Sequence, residues 1–395
     1  MNFDIKSNIY NFKINDLIEV GKRTNNEKRN FLFISKLLGK HIIVRPDIVK
    51  ATGVLLASLK YPEIDAKNIV RFIKGEDMDI SCDLMQESNP TKNVLVIGFA
   101  ETATGLGMAV ASAIKNCTYQ TTTREPISGM HNLFSFEEEH CHATTHQCFS
   151  LLDKDFDSYE EIILVDDEIT TGKTMLNLIT ELRKVTHVKN FSILTILDWR
   201  VKEYLNYFND YLKENDVNVK VYSVMSGFAT NSDSTVYYDT IKVDTLDKEV
   251  SVINLNMMDK VKVDTLFGEK AYFKNSGRFG VKQNLIKALE DKAKKIATKI
   301  NVGEDEKVLI LGHGECIYIP SRVASYLHAD YRTTTRSPIY CDGITIKTKH
   351  SFLDRDVTYY FYNKDEIESK YDRVILLTET DLDVKLCENF EIYKI

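Results

Sequence analysis

Residues 162–174 read IILVDDEITTGKT. An apolar run leads directly into two adjacent carboxylates, Asp166 and Asp167, and then into a turn rich in Thr and Gly that precedes a helix-like stretch. A short, bounded apolar run of this kind is typical of a buried parallel strand. Ligands of open α/β sheets bind beyond the carboxyl ends of such strands, so we expect a binding site at this turn.

The turn from Thr170 to Thr174 has the composition of a phosphate site. Backbone N–H groups and hydroxyls at a helix N-terminus favour an anion. The carboxylates beside the turn can accept hydrogen bonds from vicinal hydroxyls such as those of a ribose. The segment therefore fits a sugar 5′-phosphate. A Walker phosphate loop is excluded, because it needs a glycine at position 167, which is Asp.

This segment resembles the phosphoribosyl pyrophosphate (PRPP) loop of type I phosphoribosyltransferases. The resemblance implies that Asp166 and Asp167 bind the ribose hydroxyls, act in catalysis and share Mg²⁺ with substrate and water. It implies a PRPP-binding role for the residues that follow, which are Glu168, Thr170, Thr171, Gly172, Lys173 and Thr174. The implied reaction is Mg²⁺-dependent transfer of ribose 5-phosphate to a nitrogenous, nucleobase-like acceptor. A non-catalytic regulator that binds PRPP or a nucleotide remains the alternative.

Three sequence blocks occur twice in the same order, which indicates an internal duplication. The pairs are NVLVIGFAE (93–101) with KVLILGHGE (307–315), TTTREPI (121–127) with TTTRSPI (333–339), and YEEIILVDDE (159–168) with YDRVILLTET (371–380). The second copy has TETDLDVKL where the first has DDEITTGKT, so the paired acids and the Thr-Gly turn are lost. Strands alternating with helical stretches predict an α/β fold with parallel central sheets. Together with the resemblance, the duplication implies two phosphoribosyltransferase-like units, of which the second is degenerate.

The resemblance extends beyond the acidic loop. Residues 26–42, 98–107 and 134–146 resemble phosphoribosyltransferases of tellurium-resistance gene clusters, and TTTRSPI resembles the TRSP domain that follows them. We predict a phosphoribosyltransferase domain with an N-terminal hood over 1–215, a β-rich linker over 216–282 and a TRSP domain over 283–395. Within the hood, residues 28–38 and 48–59 show helical patterns.

Two further segments of the first copy are candidates for the site. In type I enzymes the loop after the first core strand meets the pyrophosphate, which implies binding by Ala100, Glu101 and Thr102. Arg124 can contact pyrophosphate or an acidic base, or it can form an ordinary surface ion pair. The alternative for the loop is a plain strand-to-helix turn.

A cluster of histidines and acids follows. Glu138, His140 and His142 are candidate acid/base groups on a catalytic lid, and His146 lies nearby. A zinc site and a solvated loop are the alternatives, because nothing in the spacing fixes a tetrahedral point.

The second copy keeps some residues that could bind a ligand. Its candidate ligand residues are Arg278, Arg336, Ser337 and His313. Scaffolding, or half of an intramolecular pseudo-dimer, is the other interpretation, and a homodimer is also compatible with the sequence.

Composition limits the remaining classes. The 395 residues carry a net charge of −7, which argues against a nucleic-acid partner. No apolar run is long enough for a membrane span. The seven cysteines contain no CxxC pair, which favours reduced thiols and a cytoplasmic location.

Overall fold

The computed structural model describes residues 1–26, 29–137, 145–152, 156–231, 234–239 and 250–395. Its strands are β1 (Asn2–Asn8), β2 (Ile18–Lys22), β3 (Phe31–Ser35), β4 (Val94–Gly98), β5 (Thr118–Thr121), β6 (Asn132–Glu137), β7 (Thr145–Phe149), β8 (Glu161–Ile169), β9 (Asn190–Asp198), β10 (Asn218–Thr230), β11 (Val252–Asn254), β12 (Lys260–Thr265), β13 (Gly268–Phe273), β14 (Val281–Lys282), β15 (Val308–Gly312), β16 (Asp330–Thr333), β17 (Lys349–Asp354), β18 (Val357–Tyr362), β19 (Arg373–Thr378) and β20 (Phe390–Lys394). Its α-helices are α1 (Ile14–Leu17), α2 (Ile48–Lys60), α3 (Lys67–Ile73), α4 (Ala103–Ser112), α5 (Lys173–Val185), α6 (Lys202–Glu214), α7 (Gln283–Ala297), α8 (Tyr318–Tyr326) and α9 (Lys364–Lys370).

The first sheet has the strand order β1-β10-β9-β8-β4-β5-β14. The five inner strands are parallel, and β1 and β14 close the edges in antiparallel pairing. The three central strands β4, β8 and β9 carry long apolar buried runs, as expected for a parallel sheet covered on both faces. Helices α2 and α4 pack against each other and against this sheet. The predicted α/β class is confirmed.

The second sheet, β11-β20-β19-β15-β16, is entirely parallel and repeats the core order of the first. Strands β4, β5, β8 and β9 correspond to β15, β16, β19 and β20. The register is also shared: Gly98 lies opposite Val165 and Thr121, and its counterpart Gly312 lies opposite Leu377 and Thr333. The duplication seen in the sequence is therefore a duplication of topology.

The two copies differ at the connection after the acidic strand. In the first copy, α5 and the turn before it link β8 to β9. In the second copy, residues 379–389 run from β19 to β20 without a helix. The second copy has thus lost a helix N-terminus together with the Thr-Gly turn, and with it the most favourable position for a phosphate.

The segment 216–282, predicted as a linker, is β-rich but does not form a separate unit. Its strand β10 is an inner strand of the first sheet, β11 joins the edge of the second sheet, and β14 closes the first sheet. Strands β12 and β13 form a separate hairpin. The predicted boundaries therefore cut through sheets, because strand neighbours in the sheet are distant in the chain.

One of the two helix predictions for the hood is wrong. Residues 48–60 form α2 as predicted, but Phe31–Ser35 form the strand β3, paired antiparallel with β2. A short apolar run fits either element, and here the pairing with β2 decides. No helix in the described part of the chain is long and apolar enough to cross a membrane.

The copies meet through reciprocal contacts. Glu101, in the loop after β4, accepts a hydrogen bond from the backbone N–H of Arg336 at 3.2 Å. Its counterpart Glu315, in the loop after β15, accepts one from the backbone N–H of Arg124 at 2.7 Å. Arg124 and Arg336 are themselves counterparts. Contacts in which residue i meets j and the copy of j meets the copy of i are those of an isologous pair.

The crevice of the second copy is filled by protein. The buried guanidinium of Arg278 lies 2.8 Å from Glu379 and 3.2 Å from Glu315, which are the counterparts of Asp167 and Glu101. Burial opposes the charge, but the two carboxylates raise the pKa of Arg278 well above its ordinary value. The ring of Tyr272 lies against the guanidinium, with 4.3 Å between the ring centroid and Cζ.

Replacing Arg278 by alanine should lower the free energy of unfolding by about 3–5 kcal/mol, because two buried carboxylates lose their cation. Lys262→Ala is the control: its ion pair with Glu269 is exposed and should contribute less than about 1 kcal/mol. Chemical denaturation of both variants makes the comparison. Equal losses would contradict the role assigned to the buried pair.

Candidate active site

A cavity of about 480 Å³ opens at the carboxyl ends of β4, β5 and β8. Its volume lies within the range of small-molecule sites. Three parts of the chain line it: the hood, the loops of the first copy, and the TTTRSP segment and β17–β18 hairpin of the second copy. The third contribution was not foreseen from the sequence.

The acidic residues belong to the end of β8 rather than to the loop after it. Asp166, Asp167 and Glu168 all line the cavity. Glu168 accepts a hydrogen bond from Arg29 at 3.0 Å. Burial, aided by the charge of Asp167, raises the pKa of Glu168 above its ordinary value, and the ion pair with Arg29 offsets this only in part.

The Thr-Gly turn starts α5 at the cavity. Thr170, Thr171, Gly172 and Thr174 line it, whereas Lys173 lies outside the lining. Gly172 has φ +78°, and an added Cβ would lie 2.8 Å from the ring of Phe208. The turn thus requires glycine for both conformation and space. A thirteen-residue helix begins at this point, so its free N–H groups favour an anion here.

The loop after β4 faces the acids across the cavity. Ala100, Glu101 and Thr102 line it, and the Ala100–Glu101 peptide bond is cis. The Ala100 N–H donates to Thr122 Oγ1 at 2.9 Å, and Lys40 Nζ donates to Thr102 Oγ1 at 2.6 Å. One carboxylate oxygen of Glu101 is thus held by the second copy, while the residue still lines the cavity.

Arg124 and His146 form a connected pair at the cavity wall. His146 Nε2 lies 3.2 Å from the Arg124 guanidinium, and Nδ1 lies 2.9 Å from Thr122 Oγ1. The imidazole stacks on Phe136 with 4.7 Å between ring centroids. Through Thr122, the histidine is linked to the backbone of the loop after β4. His146 is therefore in contact with Arg124 and, through Thr122, with Ala100, and both of these residues are predicted to bind the anion.

The lid candidates Glu138, His140 and His142 lie outside the described residues, so their roles stay predictions. Strands β6 and β7 flank that segment. Among the described residues there is no group of three or more His, Cys, Asp or Glu side chains that could hold a metal ion.

The four ligand candidates of the second copy do not line one cavity. Arg336 and Ser337 line the cavity of the first copy, whereas Arg278 is enclosed by its two carboxylates. His313 is buried outside that lining, with Nδ1 2.9 Å from Thr334 Oγ1 and its ring 4.5 Å from the ring of Tyr359, which accepts a hydrogen bond from Arg336. The described residues therefore give the second copy no ligand site of the predicted composition.

Several cavity residues come from the hood and were missed by motif analysis. They are Arg23, Arg29, Lys40 and His41. The family resemblance over residues 26–42 covers Arg29, Lys40 and His41 but not Arg23. No spacing rule connects any of them to the distant loops of the first copy. Buried side-chain atoms without a hydrogen-bond partner in the described part include Arg29 Nε, His41 Nε2, Glu101 Oε1 and Glu168 Oε2. A polar ligand or ordered water in the cavity would satisfy these atoms.

Comparison with known families identifies the class. A family model described as "Phosphoribosyl transferase" matches residues 17–228, more than half of the chain, and the chain belongs to this family of transferases. A second model, described as "TRSP domain C terminus to PRTase_2", matches residues 275–391, which confirms the predicted order of the two domains. No curated protein matches the chain.

Solved structures with a similar fold include adenine phosphoribosyltransferases. That of Trypanosoma brucei, determined with AMP, pyrophosphate and ribose 5-phosphate, is 10% identical, with a TM-score of 0.29 over 56% of this chain and 85% of its own. That of Rhodothermus marinus is 14% identical, with a TM-score of 0.29 over 54% and 96%. That of Giardia lamblia, complexed with 9-deazaadenine, is 16% identical, with a TM-score of 0.24 over 44% and 84%.

The glycine of the turn can be tested against a matched position. Gly268 also has a positive φ, but an added Cβ would meet nothing within 4 Å. Gly268→Ala should lower the free energy of unfolding by about 1–2 kcal/mol, because only the left-handed backbone conformation is strained. Alanine at Gly172 should cost more, because it also meets Phe208. Chemical denaturation measures the free energy of unfolding of both variants. Equal losses in the two variants would contradict the crowding at the start of α5.

Proposed function

We propose that the chain transfers ribose 5-phosphate from PRPP to a nitrogenous, nucleobase-like acceptor with release of pyrophosphate. One observation carries the proposal: the paired carboxylates, the glycine-containing helix start and the facing loop after β4 line one cavity. A family of phosphoribosyl transferases supplies the reaction type. The donor, the acceptor class and the metal are our inference.

The acids and the turn are assigned to the ribose 5-phosphate half. Thr170, Thr171, Gly172 and Thr174 would bind the 5′-phosphate through hydroxyls and the free N–H groups of α5. Asp166 and Asp167 would accept hydrogen bonds from the ribose hydroxyls, and their charge would favour the positive charge that develops on the ring. Lys173 lies outside the lining, so no contact with the phosphate is assigned to it.

The facing loop is assigned to the pyrophosphate half. The backbone N–H groups of Glu101 and Thr102, with Lys40 and Arg124, would bind the leaving group. The bond from C1 to the pyrophosphate oxygen breaks, its electron pair leaving with pyrophosphate, as the acceptor nitrogen donates an electron pair to C1. The proton on that nitrogen passes to solvent or to the departing pyrophosphate. The protein contributes position and electrostatics to this step.

Mg²⁺ fits the residues present. Asp166 and Asp167 offer the oxygen ligands that Mg²⁺ favours, and the described residues form no larger cage, which suits an ion held mainly by substrate oxygens and water. When bound, Mg²⁺ would neutralise charge on the pyrophosphate.

The double variant Asp166→Asn and Asp167→Asn should lose PRPP binding by at least about tenfold while it stays folded, because two charge-assisted hydrogen bonds are weakened. Calorimetry with PRPP and Mg²⁺ measures this. The control is Glu304→Gln with Asp305→Asn, another adjacent acidic pair that is exposed and outside the cavity. Unchanged PRPP affinity in the first variant would refute the assignment.

Pyrophosphate formation distinguishes a transferase from a non-catalytic regulator. Pyrophosphate release from PRPP, measured with a panel of purines and pyrimidines, should exceed the acceptor-free rate for at least one base. Tight PRPP binding without release across the panel would favour the non-catalytic regulator instead.

A further inference from the structure

The hood and the second copy form one continuous wall. The backbones of Arg23 and Ile339 pair in a β-bridge, and the Tyr340 N–H donates to the Lys22 carbonyl at 2.9 Å. A shared apolar cluster seals the junction, and it consists of Leu32, Ile34, Ile339, Ile346, Tyr360 and Tyr362. These two parts of the molecule are therefore fixed to each other beside the cavity.

The second copy directs its preserved motif away from its own crevice. That crevice is filled by Arg278 between Glu315 and Glu379. The TTTRSP segment and the β17–β18 hairpin instead reach the cavity of the first copy, where Ser337, Pro338, Val357, Thr358 and Tyr360 line it. The motif is thus preserved at a place where it can meet a ligand of the other copy.

What remains of the cavity is suited to a third group. The acids and the turn are assigned to ribose 5-phosphate, and the loop after β4 is assigned to pyrophosphate. The part of the lining without an assigned ligand is the wall formed by the hood and the second copy. This wall mixes apolar side chains with hydroxyls, and they are Leu32, Phe33, Pro338, Val357, Ser337, Thr358 and Tyr360. An apolar lining with a few hydrogen-bonding groups is typical of small-molecule sites, and a nucleobase is a ligand of this kind.

Within this wall, His41 is a buried group that awaits a partner. It is 4% exposed, it lines the cavity, and its Nε2 has no hydrogen-bond partner among the described residues. Burial, together with the charges of Lys40 and Arg332, lowers the pKa of His41 well below its ordinary value. The imidazole is therefore neutral at neutral pH and can offer a hydrogen bond to an uncharged ring.

Two cations of the lining are engaged by protein groups, while Arg23 and Lys40 also line the cavity. The Arg336 guanidinium is already engaged by Glu125, by Tyr359 and by the Arg124 carbonyl. Arg29 is paired with Glu168. Asp356, at the tip of the β17–β18 hairpin, adds a carboxylate to the lining.

We propose that the C-terminal copy forms, with the hood, the acceptor subsite of the first copy, and that this subsite takes the uncharged nitrogen heterocycle of a 5′-nucleotide. Ser337 and Thr358 on the second copy, and His41 on the hood, are its specificity-determining residues. The inference rests on the proposed function, because the cavity must first hold ribose 5-phosphate.

The test compares ligands with and without a base. Wild-type protein is titrated by calorimetry with PRPP and Mg²⁺, and with AMP, IMP, GMP, CMP and UMP. We expect at least one nucleotide to bind. In the double variant Ser337→Ala and Thr358→Val, that nucleotide should bind more weakly by about threefold to tenfold for each hydroxyl lost. PRPP affinity should stay within about twofold, since PRPP carries no base.

Two further variants complete the design. His41→Gln, on the opposite side of the wall, should give the same selective loss for the nucleotide. Thr345→Val makes the same chemical change as Thr358→Val at a residue outside the cavity lining, and it should leave both affinities unchanged. Thermal unfolding of each variant checks that the fold persists, and His41→Gln gives the answer if the double variant does not fold.

The outcomes separate the two proposals. PRPP binding with no binding of any nucleotide, or with equal losses for PRPP and nucleotide in the variants, would overturn the acceptor subsite and leave the proposed function standing. Failure of the wild-type protein to bind PRPP would overturn the proposed function and this inference with it.

Discussion

Two buried carboxylates that each hold the backbone of the opposite copy are the contact on which this molecule depends. Glu101 and Glu315 are sequence counterparts, and each accepts an N–H from the TTTR segment across the junction. A buried carboxylate is costly unless it is satisfied. Each copy therefore donates a backbone N–H to the loop of the other, and Glu101 in the loop after β4 is held by a residue more than two hundred positions away.

The sequence was most informative where chemistry and local structure coincide. An apolar run followed by acids and a Thr-Gly turn can be interpreted without tertiary information, and it proved to be the end of β8 and the start of α5. The repeat was equally visible, because strand order and register were duplicated along with the three sequence blocks. Both signals are local in the chain, so periodicity and motif rules reach them.

Other features could not be inferred because they arise between distant segments. Phe31–Ser35 became a strand through its pairing with β2, against a pattern that also fits a helix. Arg278 appeared as a candidate ligand residue, and only the fold reveals two carboxylates around it. Arg336 and Ser337 were assigned to their own copy, whereas the junction turns them toward the other. Nothing in the spacing of residues specifies which copy a loop will face.

Fusion of two copies into one chain also changes what mutation can do. In a symmetric dimer a single gene encodes both sides of the interface, so the loss of the helix after the acidic strand would remove both sites at once. Here residues 379–389 have lost that helix while Lys173–Val185 keep it. Duplication within one reading frame thus lets one half lose its own phosphate turn and diverge, while selection continues to act on that turn in the other half.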